Sequence, residues 1–271
     1  MKKSLCHYSY HRRIKEERWD LRKFVVEAEK LGIEAIDFHV RYLPEYKEAV
    51  KQINTLMSKT TLELSGLSMS NSFNKEEDEF NEEVGKVKRW LDVAGDIGAP
   101  VSRIFGGSIS DRSNKEELKK ALDKVIKGIE LVLPSAEKNN VILALENHGG
   151  LPCTAEEQVE VIEKINSPFL KATIDVGNYM QCGQAGYEGT KIAAPYCRYV
   201  HFKDFKKDPT HKRGLRPTVV GKGEVDHAKC LQYVKNAGFD GFVALEYEGD
   251  EDEKTGVPAS IEFMKSVMKD Y

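Results

Sequence analysis

The stretch from residue 141 to residue 175 reads VILALENHGGLPCTAEEQVEVIEKINSPFLKATID. Its two ends, residues 141–146 and 171–175, are short apolar runs with the length of a buried β-strand. Between them, Thr154 is followed three residues later by Glu157, a spacing typical of a capping box at the start of a helix. The stretch therefore predicts a strand, a helix and a second strand, the repeating unit of a parallel sheet.

The same alternation runs along the whole chain. Strand-like apolar runs occur at residues 4–9, 35–39, 62–69, 101–105, 141–146, 171–175, 198–202 and 241–246. Stretches with helical spacing separate them, and the first begins after Asp20, a favourable N-cap, and ends at Gly32. Later helices are expected over residues 80–94, 118–132 and 226–238. Pro258 is expected near the start of a further helix, the last of the chain. Eight strand and helix pairs predict one domain, a single (β/α)8 TIM barrel over residues 1–271.

An open, doubly wound sheet is the alternative arrangement of such units. That fold commonly carries a glycine-rich turn after its first strand, where the backbone holds the phosphates of a dinucleotide. Residues 9–15, which follow the first predicted strand, contain no glycine. We therefore favour the closed barrel, in which the chemistry is located at the carboxyl ends of the strands.

Composition excludes several classes of function. The chain has 41 lysine and arginine residues against 44 aspartate and glutamate residues, a formal charge of −3, so general attraction to nucleic acid is not expected. No apolar stretch approaches the roughly 20 residues that span a bilayer. The first residues lack the apolar segment of a secretory signal, so we expect a cytoplasmic protein.

The five cysteines are scattered and odd in number, at positions 6, 153, 182, 197 and 230. They show no CxxC spacing. Neither a disulfide framework nor a thiolate zinc site is expected from this distribution, and most of the cysteines are predicted to be buried, inert thiols.

Four successive predicted strands each end in a possible metal ligand. We call these four residues the quartet: Glu146, Asp175, His201 and Glu246. Three carboxylates and one imidazole at one barrel mouth are a largely oxygen-donor set suited to Mn²⁺ or Mg²⁺, with Co²⁺ or Zn²⁺ as alternatives. At any single position, an acidic residue that caps a helix or pairs with a lysine is the competing interpretation. A cation would relieve the mutual repulsion of the carboxylates.

The chain resembles the sugar phosphate isomerase/epimerase family with the xylose-isomerase-like barrel, which includes tagatose and psicose epimerases, hydroxypyruvate isomerase and inosose dehydratase. The segments that carry the resemblance are residues 143–148 (LALENH), Asp175, residues 201–204 (HFKD), residues 221–226 (GKGEVD) and residues 245–246 (LE). The resemblance implies that the quartet binds the metal and that Glu146 and Glu246 also transfer protons as the catalytic pair. It also implies a homo-oligomer, a dimer or a tetramer.

Physical chemistry supports the same roles. A metal-chelated ketone or aldehyde has an acidic α-proton because the cation stabilises the enediolate, and a carboxylate can remove that proton. Return of the proton to the same carbon gives an epimer, whereas return to the neighbouring carbon gives an aldose–ketose isomer. Loss of a β-hydroxyl gives dehydration instead, so a lyase acting on a keto-sugar, keto-glycoside or inosose is the alternative.

Four further residues are candidates for binding a small sugar or keto-polyol substrate. His148 and Lys203 each lie two positions after a member of the quartet, and they are expected to face the same way. Arg216 resembles a substrate-contacting arginine of the family, and Asn178 stands where many members carry a substrate-binding histidine. The asparagine leaves the epimerase subclass open. The competing interpretations are a loop histidine bonded to backbone, an ion pair of Lys203 with Asp204 or with a ligand glutamate, and a solvated loop arginine.

Residues near the other strand ends are candidates for the pocket wall: His7, His11, Asp37, His39, Arg103, Gly106 and Gly107. Residues 204–224 are long for a strand-to-helix loop and suggest a flap or an oligomer contact. A metallonuclease related to abasic-site endonucleases would need further histidine ligands, one of them at the position of Asn178. A non-catalytic sugar-binding barrel would be expected to lack one member of the quartet. No glycine motif for phosphate is present, which favours an unphosphorylated substrate.

Overall fold

The computed structural model describes residues 1–211 and 214–271 of the chain. Eight parallel strands close into a barrel in the order β1, β10, β7, β6, β5, β4, β3, β2. Their bounds are β1 Lys2–Cys6, β2 Ala35–His39, β3 Glu63–Ser68, β4 Val101–Ile104, β5 Ile142–Glu146, β6 Leu170–Asp175, β7 Cys197–Phe202 and β10 Phe242–Leu245. The predicted (β/α)8 TIM barrel is therefore confirmed, and each predicted strand overlaps an observed one.

Nine α-helices are present in the described part of the chain. They are α1 His11–Glu16, α2 Leu21–Lys30, α3 Tyr46–Met57, α4 Glu77–Asp96, α5 Lys115–Lys138, α6 Ala155–Ile165, α7 Gly186–Ala193, α8 His227–Asn236 and α9 Glu253–Val267. The predicted N-caps of α2 and α8 act as expected, because Asp20 accepts from the amide of Lys23 and Asp226 from that of Lys229. Thr154 likewise accepts from the amide of Glu157 at the start of α6. None of these described helices is long and apolar enough to cross a membrane.

The main hydrophobic core lies between the strands and the surrounding helices. Leu143 and Leu145 of β5 belong to it, whereas Ala144 points into the barrel and packs in a separate small cluster with Tyr199 and Ala244. The barrel interior below the mouth also holds hydroxyl groups, with Ser65 Oγ at 2.8 Å from Tyr199 Oη. Because side chains alternate along a strand, one residue in two points into the barrel, and the last of these on each strand lies at the mouth.

The structure differs from the sequence-based prediction in two local features. Residues 205–217, within the predicted long loop, contribute a two-stranded antiparallel hairpin, β8 Phe205–Lys207 and β9 Leu215–Pro217, while residues 212 and 213 lie outside the described residues. Pro258 is inside α9, five residues after its first residue, rather than at its start. A proline there leaves one backbone carbonyl of the preceding turn without its helical partner.

The expectation that the chain has no disulfide was wrong. Cys153 and Cys182 are bonded, with their Cα atoms 6.1 Å apart, which lies within the usual span of a disulfide. Cys153 follows β5 and Cys182 ends a short helix after β6, so the bond joins the two loops that follow neighbouring strands. The other three cysteines, Cys6, Cys197 and Cys230, are free thiols. Two half-cystines 29 positions apart carry no local spacing signal, because barrel closure brings them together.

Candidate active site

The barrel brings the quartet to one place at its mouth. Glu146 ends β5, Asp175 ends β6, His201 lies near the end of β7 and Glu246 directly follows β10. Asp175 and His201 are register partners in neighbouring strands. All four side chains are buried, and one ligand atom from each lies within 4.8 Å of the others.

The donor atoms of the quartet fit a metal ion. Glu146 Oε2, Asp175 Oδ2, His201 Nδ1 and Glu246 Oε2 are buried, and the three carboxylate oxygens lie against charged side chains rather than in regular hydrogen bonds. Four buried ligand atoms that converge on one point can share a cation. Three carboxylates and an imidazole match the preferences of a divalent first-row cation. Their role as metal ligands stays a prediction.

Two buried cations lie against the same carboxylates. Lys203 Nζ is 2.6 Å from Glu246 Oε2 and 3.3 Å from Asp175 Oδ2. Arg103 Nε is 3.1 Å from Glu146 Oε2, and its guanidinium lies over the ring of Phe105 at 4.0 Å. Lys203 therefore pairs with the quartet and not with Asp204, whose carboxylate accepts backbone amides of the 221–225 turn instead.

These charges shift the protonation equilibria of the site. Burial opposes ionisation of Glu246, but Lys203, His201 and Arg103 outweigh it and hold the pKa of Glu246 well below its usual value. Burial also opposes the charged form of His201, yet the carboxylates of Glu246 and Glu146 raise its pKa to about 9. Burial raises the pKa of Asp175 to about 7, against the opposing effect of Lys203.

A second group of possible ligands shares His201. Cys6, Asp37 and His201 also offer ligand atoms within 4.8 Å of one another. Burial raises the pKa of the Cys6 thiol well above its usual value, and a protonated thiol is a poor ligand. Asp37 already accepts hydrogen bonds from Ser68 Oγ at 2.8 Å and from the backbone amide of His7 at 3.1 Å. The quartet is therefore the better metal site.

Two of the four predicted substrate residues, Asn178 and Lys203, contact the quartet. Asn178 is fully buried, and its side-chain amide donates to Glu146 Oε1 at 3.2 Å, while Lys203 touches Glu246 and Asp175. His148 packs its ring on Phe105 with centroids 4.0 Å apart. Arg216 lies in the β8–β9 hairpin and makes ion pairs with Asp208 and Asp250, both at 2.7 Å, and is not joined to the quartet.

A cavity of about 430 Å³ opens beside the quartet. Its wall includes two aromatic rings, the side chains of polar residues and one carboxylate: Phe105, His148, Asn71, Ser72, Ser108, Gln181 and Glu248. Glu248 Oε2 is 3.4 Å from Lys203 Nζ, which links the cavity to the quartet. The volume is within the range of small-molecule sites in proteins.

Sequence reasoning did not identify Glu248 as a site residue and placed Arg103 only in the pocket wall. A signal for Glu248 was present, because it stands two positions after Glu246, as His148 stands after Glu146. For Arg103 the sequence offered only its position near the end of β4. Arg103 contacts Glu146 on the neighbouring strand β5, and its contact with Glu246, at 3.8 Å, crosses the barrel.

Comparison with solved structures shows the same fold. A D-tagatose 3-epimerase-like protein matches with a TM-score of 0.78 and 17% identity, over 99% of this chain and 97% of that one. A protein named IOLI with a bound zinc atom matches with a TM-score of 0.77 and 20% identity, over 100% and 97%. The probable 3-DHS dehydratase AsbF of Bacillus anthracis matches with a TM-score of 0.76 and 20% identity, over 98% and 99%.

The sequence comparisons give the family. The uncharacterized protein MJ1311 of Methanocaldococcus jannaschii is 22% identical over 154 residues, which is 55% of this chain. The matched segment spans about half the length, 49%, of that relative. The family model described as xylose isomerase-like TIM barrel matches residues 25–267. This chain therefore belongs to the xylose isomerase-like TIM barrel family.

Proposed function

We propose that this protein is a metal-dependent sugar isomerase or epimerase that removes a proton next to the carbonyl of a sugar or keto-polyol. The observation that carries the proposal is the convergence of four buried ligand atoms, three carboxylate oxygens and one imidazole nitrogen, at the mouth of the barrel. Two of the four residues are glutamates, and carboxylates are suited to proton transfer as well as to metal binding.

The quartet would hold a divalent cation, which we propose to be Mn²⁺, with Mg²⁺, Co²⁺ and Zn²⁺ as alternatives. When bound, such a cation supplies Lewis-acid polarisation of the substrate carbonyl and so acidifies the adjacent C–H. The zinc in the IOLI structure supports a metal in this fold, although it belongs to that protein. Asn178 and Arg103 orient Glu146 through the contacts described above.

Glu146 and Glu246 act as the proton-transferring pair. Lys203 keeps Glu246 ionised and therefore able to accept a proton. The proton goes from the substrate carbon to a carboxylate oxygen of one glutamate, which later releases it to solvent, and the second glutamate relays a solvent proton to the product. Delivery to the original carbon gives an epimer, and delivery to the neighbouring carbon, with a hydroxyl proton passing to the former carbonyl oxygen, gives an isomer.

A dehydratase is the second candidate. The same proton removal, followed by departure of a β-hydroxyl, eliminates water. The names of the similar structures include a probable 3-DHS dehydratase beside an epimerase-like protein, which makes elimination a candidate reaction for this site as well. At 17% and 20% identity these likenesses show a shared fold and do not choose between the two reactions.

The test combines metal analysis with isotope exchange. The purified protein is analysed for bound metal, and each of a panel of keto-sugars is incubated with it in D₂O and examined by NMR for deuterium at the carbon next to the carbonyl. We expect one metal ion per chain and exchange at one carbon, with loss of water if the protein is a dehydratase.

Glu246→Gln is the discriminating variant. It should lower exchange by a factor of about 10² to 10⁴, the usual contribution of a general acid or base. Glu63→Gln is the matched control, because Glu63 begins β3 at the opposite end of the barrel and pairs with Lys2 on the surface. Undiminished exchange and metal binding in Glu246→Gln would disprove the proposal.

A further inference from the structure

Two wall residues of the cavity, Glu248 and Gln181, are connected to the quartet through side-chain contacts. Glu248 touches Lys203, whose ammonium group also touches Asp175 and Glu246. Gln181 donates to Asn178 Oδ1 at 2.6 Å, and Asn178 in turn donates to Glu146. The cavity is therefore adjacent to the quartet, and we take it as the binding space for the part of a substrate that lies away from its carbonyl.

The polar wall of the cavity is mostly uncharged. Asn71, Ser72, Ser108 and Gln181 supply amide and hydroxyl groups, and the rings of Phe105 and His148 supply apolar faces. Asn71 holds the Phe105 backbone with two hydrogen bonds, of 2.6 and 2.9 Å, so this side of the wall is firmly placed. Such a mixture suits a chain of C–H and O–H groups rather than an ionic one.

The nearby cations of the described chain are committed to other partners. Lys203 is 1% exposed and lies among three carboxylates. Arg112, next to the cavity wall at Gly150, contacts the carbonyl oxygen of Gly150 and the carboxylate of Glu157. Arg103, next to Phe105 of the wall, is 1% exposed and pairs with Glu146 and Glu246. All three cations therefore already have anionic or carbonyl partners.

Glu248 is the anionic group of the cavity wall. Its side chain is 29% exposed, so one part of the carboxylate faces Lys203 and the rest faces the open cavity. A carboxylate accepts strong hydrogen bonds from sugar hydroxyls, whereas it repels a phosphate or a carboxylate at the same place.

We propose that Glu248 is a specificity-determining residue that selects an uncharged polyhydroxylated keto substrate and rejects phosphorylated or carboxylated ones. This inference rests on the proposed function, because it concerns the end of the substrate that lies away from the transferred proton. Glu248 binds hydroxyl groups of that end, and it takes no part in the proton transfer itself.

The experiment compares paired probes in the deuterium-exchange assay. D-Fructose, D-tagatose and D-sorbose are each tested beside the corresponding phosphate ester that carries the phosphate at the end distant from the carbonyl. The wild type, Glu248→Gln, Glu248→Lys and the surface control Glu63→Gln are measured with the same metal. Thermal unfolding of each variant verifies that the barrel is folded, since Glu248 is partly exposed and its loss should not unfold the protein.

We expect the wild type and Glu63→Gln to exchange the free sugars at least tenfold faster than their phosphates. Glu248→Gln should lower kcat/KM for the free sugars by about 10- to 100-fold, the effect of losing a charge-assisted hydrogen bond. Glu248→Lys should shift the preference toward the phosphorylated partner.

Three results would overturn the inference. Faster exchange of the phosphates by the wild type would disprove it and leave the proposed function intact. An unchanged ratio of free to phosphorylated sugars in both Glu248 variants would show that another group sets the preference. Absence of exchange with every probe would disprove the inference and the proposed function together.

Discussion

Lys203 changes the charge balance of the site. A fully buried ammonium group beside the carboxylates of Asp175 and Glu246 compensates their charge when no metal is bound. Burying a charge is costly unless it is paired, and the two sides of this pair depend on each other. Lys203 and a bound divalent cation would therefore each neutralise part of the negative charge of these carboxylates.

Lys203→Met should destabilise the metal-free protein by about 3 kcal/mol, because it leaves buried carboxylates without their cation. Added Mn²⁺ should recover more stability in this variant than in the wild type. Urea denaturation with and without a chelator measures both effects. Lys207→Met is the matched control, since Lys207 is 76% exposed and its pairing with Glu224 contributes little. Equal stability of Lys203→Met and the wild type in chelator would contradict this account.

At the scale of the elements, close approach between neighbouring loops shapes the cavity wall. A Cβ atom on Gly106 would lie 2.3 Å from the carbonyl oxygen of Leu151. Glycine at this position lets the loop after β4 touch the loop after β5, where Leu151 N donates to Gly107 O at 2.9 Å. Both loops line the cavity, so Gly106 and Gly107, predicted for the pocket wall, allow its two loops to pack against each other.

Two helical glycines should respond in opposite ways to alanine. Gly128 of α5 faces Phe73, and a Cβ there would lie 2.4 Å from the ring, so Gly128→Ala should cost about 1–3 kcal/mol through overpacking. Gly85 of α4 has Arg89 at an ordinary 3.5 Å, so Gly85→Ala should stabilise the protein by up to about 1 kcal/mol through helix propensity. Thermal unfolding compares the two variants. The same sign of change in both would refute the packing argument.

The disulfide should be detectable by thiol counting. Cys153 and Cys182 join the loops after β5 and β6, and three cysteines remain as thiols. Alkylation of the denatured protein without reductant should therefore label three cysteines, and labelling after reduction should reach five. The double variant Cys153→Ser, Cys182→Ser should lose roughly 3 kcal/mol, because it frees a loop of about 30 residues in the unfolded chain. Labelling of all five cysteines without reductant would show that the bond is absent.

At the scale of the whole molecule, the charges of the site couple stability to pH. His201 has a pKa of about 9 in the folded metal-free protein, above its ordinary value of 6.5. A raised pKa means that the folded state holds the proton more tightly, so the stability that it contributes is present below pH 6.5 and is lost as pH rises through 9. Asp175, with a pKa of about 7 against 3.8, changes stability in the same direction at lower pH.

The metal-free protein should therefore become less stable between pH 6.5 and pH 9, by at most about 1.4 kcal/mol per pH unit for one proton. Added Mn²⁺ should stabilise more at pH 8.5 than at pH 6.5, because metal ligation needs a neutral imidazole. Urea unfolding across this range, with chelator or with Mn²⁺, gives the slopes. His201→Gln is the comparison that should flatten the metal-free slope. A rise in wild-type stability toward pH 9 in chelator would contradict the assignment.

The fold could be predicted because its signal is local and repeated. The strand runs and caps such as Asp20 and Asp226 lie within short windows of sequence, and eight repeats reinforce one another. Helix α1 was not predicted and has no side-chain cap, and two further helices lacked such signals. No side-chain cap precedes α3 after Glu45 or α7 after Ala185, and α7 contains two glycines, Gly186 and Gly189. Their places were implied only by the alternation of elements.

The sequence by itself determined the barrel and the strand ends at which the quartet lies, because strand periodicity and the parallel arrangement follow from neighbours in the chain. Only the tertiary structure decided that Lys203 pairs with the quartet, that Cys153 bonds to Cys182 and that Glu248 faces the cavity. Those contacts depend on strand register and barrel closure. Closure brings together residues far apart in sequence, and no local pattern records their distances.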